Sequence, residues 1–237
     1  MSNWNPEIVV TFALRTESSG FIKSLGERQI SRGKDTICGK IGTKAVGVFH
    51  TGVGAESCRP QINNLLADLQ PELLISAGFA GSVSDQFKPG DLLLAENFSD
   101  ENVLAKALQL LAHQGTRPAN LFTARRIVDS AKERDEIARA QGADAVDMET
   151  EIIAAACAAH QVKMLSLRVI SDSPSEPLPA PPQVLFDLQQ QRTDFMKLAA
   201  YLLRHPQAVV PLLQFSRRVA RARDRLTEAI VTLVQKL

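Results

Sequence analysis

Three acidic residues stand at positions where a carboxyl group could do chemistry. Asp147 and Glu149 flank Met148, where the apolar stretch GADAVDM becomes the Ala-rich stretch ETEIIAAACAAH. Asp172 ends the apolar run MLSLRVISD, directly before a Pro-rich segment. A carboxyl group that is partly desolvated at the tip of a strand has a raised pKa and can donate a proton. The structural alternatives are a first-turn acid that favours the helix dipole for Glu149 and an N-cap or Asx turn for Asp172.

Two glycine-rich stretches follow apolar runs directly. They are TGVGAES, with Gly52 and Gly54, and SAGFAGS, with Gly78 and Gly81. Without side chains, their backbone N–H groups can approach a phosphate or a sugar, but glycine also serves tight turns between strand and helix. Neither stretch matches a dinucleotide fingerprint or a Walker loop.

The other reactive side chains predict neither a metal site nor a disulfide framework. Cys38, Cys58 and Cys157 are odd in number and widely spaced, which is typical of reduced thiols. No cluster in the sequence has the spacing of metal ligands. His50 ends an apolar run near Gly52, where it either reaches a site or makes a structural hydrogen bond.

The elements that position these residues alternate between short apolar runs and helical patterns. The predicted strands are Glu7–Phe12, Thr36–Ile41, Ala45–His50, Glu72–Gly78, Asp91–Glu96, Ala143–Met148 and Lys163–Asp172. The predicted helices are Arg59–Leu69, Asn102–His113, Lys132–Gln141 and Glu149–His160. This order predicts an α/β fold, a three-layer α/β/α domain with a mixed, largely parallel central sheet. Within it, Thr36–His50 predicts an antiparallel hairpin, and ligands are expected beyond the carboxyl ends of the strands.

Length and composition limit the number of domains, the classes of binding partner and the expected location of the protein. With 237 residues, 45% of them hydrophobic, the chain can bury a sizeable core, and we expect a single domain over residues 1–237 with a helical tail from about residue 183. The 27 basic and 26 acidic residues nearly cancel, which does not favour nucleic-acid binding. No apolar run is long enough to span a bilayer and the first residues lack a signal-peptide pattern, so we expect a cytoplasmic protein.

The stretches FALRTE, SAGFAGSV and GADAVDMETEIIAAACAAHQVKMLSLRVISD together resemble the nucleoside phosphorylase and nucleosidase superfamily. This superfamily contains the purine nucleoside phosphorylases and the methylthioadenosine/adenosylhomocysteine nucleosidases. The chain is most similar to the hopanoid-associated phosphorylases, because a Leu-Pro loop follows RVISD and the tail contains LLRHPQAVVPLL. The resemblance implies cleavage of the N-glycosidic bond of a purine nucleoside, with adenine expected as the base and adenosylhopane as an example of a substrate with a bulky 5′ group.

The resemblance also implies a role for each motif residue. Asp172 protonates the purine nitrogen N7, and Glu17 activates water in the nucleosidases. Glu149 binds the ribose hydroxyls and Met148 packs under the sugar. The remaining expected lining residues are Gly54, Phe79, Ala80, Gly81 and Ile127. These roles fit a reaction whose oxocarbenium-like transition state needs a protonated leaving base and nearby carboxylates.

Two departures from the nucleosidase pattern leave the reaction open. Phe79 replaces a small hydroxyl residue, and only Arg126 and Ile127 stand near the place of the aromatic residue that stacks on the purine. The nucleophile is either water or inorganic phosphate, which would be a co-substrate, with Arg15 as its candidate ligand. No other cofactor is expected. A homo-oligomer is expected, a dimer by analogy, and a nucleoside-binding module without turnover remains an alternative.

The last 27 residues, Pro211 to Leu237, combine apolar residues at helical spacing with five arginines. A basic amphipathic helix of this kind either makes transient contact with a membrane surface or packs on the domain or a partner subunit.

Overall fold

A mixed ten-stranded sheet forms the centre of the protein, in a computed structural model that describes residues 6–30, 36–186 and 195–237. The main path through the sheet has the strand order β2-β3-β4-β1-β5-β10-β6-β7, and β9 pairs with both β5 and β8. The strands are β1 (Ile8–Phe12), β2 (Gly26–Ile30), β3 (Ile37–Ile41), β4 (Lys44–His50), β5 (Leu73–Ser82), β6 (Leu92–Ala95), β7 (Arg117–Ala119), β8 (Leu121–Thr123), β9 (Ala145–Asp147) and β10 (Lys163–Asp172).

The helices of the described ranges flank this sheet. They are α1 (Arg15–Ser24), α2 (Ala55–Asp68), α3 (Glu101–Leu111), α4 (Ala131–Gln141), α5 (Thr150–Ala159), the short α6 (Pro182–Leu185), α7 (Phe195–Arg204) and α8 (Val209–Lys236). Two 3-10 turns follow α3 and α7, at Ala112–Gln114 and Pro206–Ala208.

Alternation of side chains along the central strands explains the layers. On β1, Val10 belongs to a core cluster with α1, α3 and α8, whereas Val9 belongs to a second cluster with α2 and α5. On β5, Ile75 and Leu74 divide in the same way, because successive side chains of a strand point to opposite faces. The predicted three-layer α/β/α fold is therefore confirmed.

The sheet is parallel at its centre, and both parallel and antiparallel pairs lie outside it. Strands β4, β1, β5 and β10 run parallel, so their carboxyl ends lie at one edge of the sheet. Strands β3 and β4 form the predicted antiparallel hairpin around Gly42 and Thr43. Strand β6 pairs antiparallel with β10, and β9 with β5.

Four elements of the structure were not predicted from the sequence. Strand β2 is exposed along its whole length, and β7 and β8 have three residues each, so none shows an apolar run. Helix α1 begins directly after β1, in the segment FALRTE, where only a strand end is expected from the sequence. Helix α2 begins at Ala55, four residues before the predicted start at Arg59, and contains Pro60 in its second turn.

The C-terminal helix α8 has two different halves. Leu226, Ile230 and Leu233 are fully buried in the cluster that covers β1, β5 and β10. In the first half, by contrast, Val210 and Leu213 are 60% and 55% exposed. The second half of the predicted tail is thus part of the core, and residues 187–194 of that tail lie outside the described ranges.

We expect Leu226→Ala to lower the free energy of unfolding by about 2–5 kcal/mol, because it opens a cavity between α8 and the sheet. Leu213→Ala, on the same helix but exposed, is expected to change it by no more than about 0.5 kcal/mol. Urea denaturation of both variants checks this. Equal stability of the two variants would contradict the buried position of the second half of α8.

Candidate active site

A small pocket that is partly open to solvent lies near the carboxyl ends of the central strands. Its walls come from β1, β5 and β10, from the start of α1 and from α5. Its charged lining residues are Glu17, Glu149 and Arg168. Two of the acids expected from the sequence therefore meet in one cavity.

Glu17 is placed by the first turn of α1. Its Oε2 accepts a hydrogen bond from the Leu14 N–H at 2.9 Å, which closes the start of the helix. Its Oε1 accepts from the Phe79 N–H at 3.4 Å and lies close to Gly78 of β5. Burial raises the pKa of Glu17, while the Leu14 N–H and the charge of Arg168 act in the opposite direction.

Glu149 does not cap its own helix. Its side chain instead reaches the start of α2, where Oε1 accepts a hydrogen bond from the Gly54 N–H at 2.6 Å. Gly54 has a φ of +80°, a conformation that favours glycine. Burial raises the pKa of Glu149 to about 8, and the charge of Asp147 and, more weakly, that of Glu17 add to the effect.

Asp147 makes the capping contacts instead. It accepts hydrogen bonds from the N–H and the hydroxyl of Thr150, and it forms a buried ion pair with Arg168. The Arg168 Nε and Nη2 atoms lie 3.1 and 2.9 Å from Asp147 Oδ2, and Nη1 donates to the Ser76 carbonyl at 2.7 Å. Sequence reasoning missed Arg168, although an arginine inside an apolar strand requires a buried partner.

Asp172 lies at the end of β10, opposite Gly81 of β5. One of its oxygens forms a buried ion pair with Arg134 of α4, and the other accepts a hydrogen bond from the Ser171 hydroxyl. Arg134 is 1% exposed and also donates to the carbonyls of Ser82 and Val128. In this arrangement both oxygens of Asp172 accept hydrogen bonds.

Nothing in the sequence indicated that Arg134 is buried or that it pairs with Asp172. It stands in AKERDEIARAQ, whose many charged residues are typical of an exposed helix face. Only the packing of α4 against the ends of β5 and β10 brings its guanidinium to Asp172.

The acids mark two ends of the site. The Glu17 carboxylate adjoins Gly78, whereas Asp172 adjoins Gly81 and does not line the pocket. The two glycines are three positions apart on an extended strand, or roughly 10 Å.

The other expected lining residues take different places. Met148 packs beside Gly54, and the Ala80 side chain belongs to a core cluster under β5. Ile127 is half-buried in the segment between β8 and α4, and Arg15 is exposed at the start of α1. Neither Ile127 nor Arg15 lines the pocket.

His50 makes the structural hydrogen bond that the sequence left as one of two alternatives. Its Nε2 lies 2.8 Å from Ser18 Oγ, and burial, together with the charge of Arg15, lowers the pKa of His50 to about 4. His50 is therefore neutral at pH 7. Cys38, Cys58 and Cys157 are buried free thiols, as their spacing predicts.

Within the described ranges, no group of three or more His, Cys, Asp or Glu side chains is arranged to hold a metal ion. In the same part of the chain, no helix is long and apolar enough to cross a bilayer.

The chain matches the phosphorylase superfamily over residues 7–122 and 119–205. It is 25% identical over 174 residues to a DeoD-type purine nucleoside phosphorylase of Streptococcus pyogenes, covering 65% of this chain and 73% of the relative. It is 27% identical over 167 residues to a 5′-methylthioadenosine/S-adenosylhomocysteine nucleosidase of Haemophilus influenzae, covering 56% of this chain and 70% of the relative.

Solved structures share the fold. The 5′-methylthioadenosine/S-adenosylhomocysteine nucleosidase of Campylobacter jejuni superposes with a TM-score of 0.73 at 16% identity, over 98% of this chain and all of that one. The futalosine hydrolase of Helicobacter pylori superposes with a TM-score of 0.70 at 16% identity, over 97% and 98% of the two chains.

We expect Arg134→Met to lower the free energy of unfolding by about 3–5 kcal/mol, because it leaves the Asp172 carboxylate buried without a cation. Arg139→Met, on the exposed side of the same helix, is expected to have little effect. Adding Asp172→Asn to Arg134→Met is expected to recover part of the loss. Urea denaturation of the wild type, Arg134→Met, Asp172→Asn and the double variant forms the cycle, and strictly additive effects would contradict direct coupling.

The raised pKa of Glu149 predicts a pH dependence of stability. Between pH 4.5, the ordinary pKa of Glu149, and about pH 8, its pKa in the folded protein, the folded chain binds more protons than the unfolded chain. The free energy of unfolding therefore falls as the pH rises through this range. Glu149→Gln is expected to flatten the fall, by at most about 1.4 kcal/mol per pH unit. Urea denaturation from pH 5 to pH 8 measures the slope. The exposed Glu151→Gln serves as control, and parallel curves for the wild type and Glu149→Gln would contradict the assignment.

Proposed function

The chain belongs to the phosphorylase superfamily and is an enzyme, and we propose that it hydrolyses the N-glycosidic bond of a purine nucleoside. The observation that carries the proposal is the buried Glu17 carboxyl group, which lines the pocket beside Glu149 and has a raised pKa. A group with a pKa shifted towards the working pH is suited to accept a proton from attacking water.

Water is favoured over phosphate by the charges of the pocket. A phosphate dianion needs cationic or N–H donors, but two of the three charged lining residues are acids. The third, Arg168, already donates to Asp147, Ser76 and Thr150. Arg15, the candidate phosphate ligand, is exposed outside the lining.

Glu149 and Met148 are proposed to hold the sugar. Glu149 is fixed at one oxygen by the Gly54 N–H, which leaves the other oxygen to accept hydrogen bonds from ribose hydroxyls. Its negative charge, when present, also stabilises the positive sugar of the transition state. Met148 packs beside Gly54, next to the same place.

Asp172 is proposed to act on the base. Substrate binding replaces Arg134 as its partner, and protonated Asp172 then donates to N7 as the bond between C1′ and N9 breaks. The water oxygen bonds to C1′ and its proton passes to Glu17, which gives a neutral purine and a free sugar. Solvent returns the proton from Glu17 to Asp172.

The substrate is proposed to be an adenine nucleoside with a bulky apolar 5′ substituent, such as adenosylhopane. The resemblance of the RVISD loop and the tail supports this, as does the short connection between the end of β6 at Ala95 and the start of α3 at Glu101. Methylthioadenosine and adenosylhomocysteine are the alternative substrates, since a nucleosidase named for them is among the relatives at 27% identity.

The first test measures adenine release from methylthioadenosine, adenosylhomocysteine and a lipid-linked adenosine, each with and without inorganic phosphate. Hydrolysis predicts a rate that does not depend on phosphate and a product without a sugar phosphate. An absolute requirement for phosphate would replace water as the nucleophile. Tight binding without release of adenine from any substrate would favour a binding module.

The second test assigns the acids. Asp172→Asn and Glu17→Gln are each expected to lower kcat by about 10²–10⁴-fold, the usual contribution of general acid or base catalysis. Glu151→Gln, an exposed neighbour of Glu149, is the matched control and is expected to keep full activity. Near wild-type kcat in Glu17→Gln would remove this residue as the base.

A further inference from the structure

Exposed apolar side chains concentrate on α7 and the first half of α8. Of the six large apolar side chains that are exposed in the described part of the chain, five lie there, and the sixth is Ile30 on the edge strand β2. Leu203 is 86% exposed and Val210 60%. Scattered single residues of this kind are ordinary on a surface, but a concentration on two consecutive helices marks an interaction site.

The same segment has a strong charge bias. Residues 195–223 contain six lysines and arginines and no aspartate or glutamate, whereas the whole chain has 27 basic and 26 acidic residues. Arg204, Arg217 and Arg221 are exposed. Glu176 pairs with Arg218 and Asp224 pairs with Arg223, and the basic side chains beside the apolar ones still outnumber these two acids.

We propose that this surface, which we call the α7–α8 surface, docks on an anionic lipid bilayer. Its apolar members are Met196, Leu203, Val209, Val210 and Leu213. Apolar side chains enter the boundary between headgroups and acyl chains, while arginines bind the anionic headgroups, and the two effects together hold a protein at the membrane. This proposal stands apart from the proposed reaction and concerns a different part of the molecule.

A second copy of the chain fits the surface less well. In a two-fold pair the same patch meets itself, so the arginines of one copy would face those of the other. The segment 195–223 has no acidic residue of its own, and the acids beside it, Glu176 and Asp224, already pair with Arg218 and Arg223. Like charges that face each other across an interface are unfavourable, which disfavours the second copy. An anionic bilayer instead presents the opposite charge to the arginines.

The α7–α8 surface is connected to the Asp172 end of the site. Glu176, in the loop after Asp172, forms an ion pair with Arg218 of α8. Leu213 precedes Arg218 by five residues, or roughly 7.5 Å of helix rise. Docking through this surface thus brings the loop that follows Asp172 near the lipid headgroups.

The test is flotation of the full-length protein with vesicles of phosphatidylcholine alone or mixed with phosphatidylglycerol. We expect binding to the anionic vesicles only, weakened by added salt. The triple variant L203S/V210S/L213S is expected to lower the partition coefficient at least about tenfold. Arg204→Gln and Arg217→Gln are each expected to lower it about fivefold.

Matched controls separate this surface from the rest of the protein. Ile30→Ser removes an exposed apolar side chain elsewhere, Arg139→Gln removes an exposed arginine of α4, and both are expected to bind vesicles like the wild type. Light scattering gives the mass of each variant. The proposal would be overturned if the protein did not bind vesicles or bound neutral vesicles equally well. It would also be overturned if the triple variant dissociated into monomers and still bound vesicles. Base release from soluble nucleosides is measured in parallel, so the outcome for the reaction stays separate.

Discussion

The buried ion pair between Asp147 and Arg168 is the interaction on which the site depends. Arg168 stands in the middle of the central strand β10, and it donates to Ser76 of β5 and to Thr150 of α5. Asp147 in turn accepts from Thr123 of β8. One guanidinium and one carboxylate therefore join four strands, β5, β8, β9 and β10, to the helix that begins directly after Glu149. Because each charge is buried, neither can be removed without leaving the other unpaired in a medium of low dielectric constant.

This fixed pair explains the unusual state of the other two acids. The guanidinium of Arg168 donates its hydrogen bonds to Asp147, Ser76 and Thr150. Glu17 and Glu149 line the same pocket but form no ion pair with it. Burial raises the pKa values of both acids, and the charge of Arg168 offsets this only in part. Asp172 differs from these two acids because it forms a buried ion pair with Arg134. The two ends of the site thus differ: the carboxyl groups near Gly78 have raised pKa values, and the carboxyl group near Gly81 is paired with an arginine.

The C-terminal helix shows how one amphipathic pattern can serve two environments. Its second half lies against the sheet, where Leu226 and Leu233 are fully buried, while its first half leaves Val210 and Leu213 exposed. Helical spacing of apolar residues is the same in both halves, since spacing reports only that a helix has an apolar face. What covers that face depends on how far the sheet beneath extends.

The sequence by itself determined the order of the principal strands, the α/β/α class, the hairpin at Thr36–His50 and the positions of Glu149 and Asp172 at strand ends. These follow from local periodicity and from turn residues, which neighbouring residues encode. Short or polar elements such as β2 and β7 were missed because they lack that periodicity. Only the tertiary structure decided the partners: Arg134 with Asp172, Arg168 with Asp147, and the Gly54 N–H with Glu149, which is 95 residues away in the chain. Such pairs form where distant segments meet, and burial of a charge has consequences only once the surrounding chain excludes water.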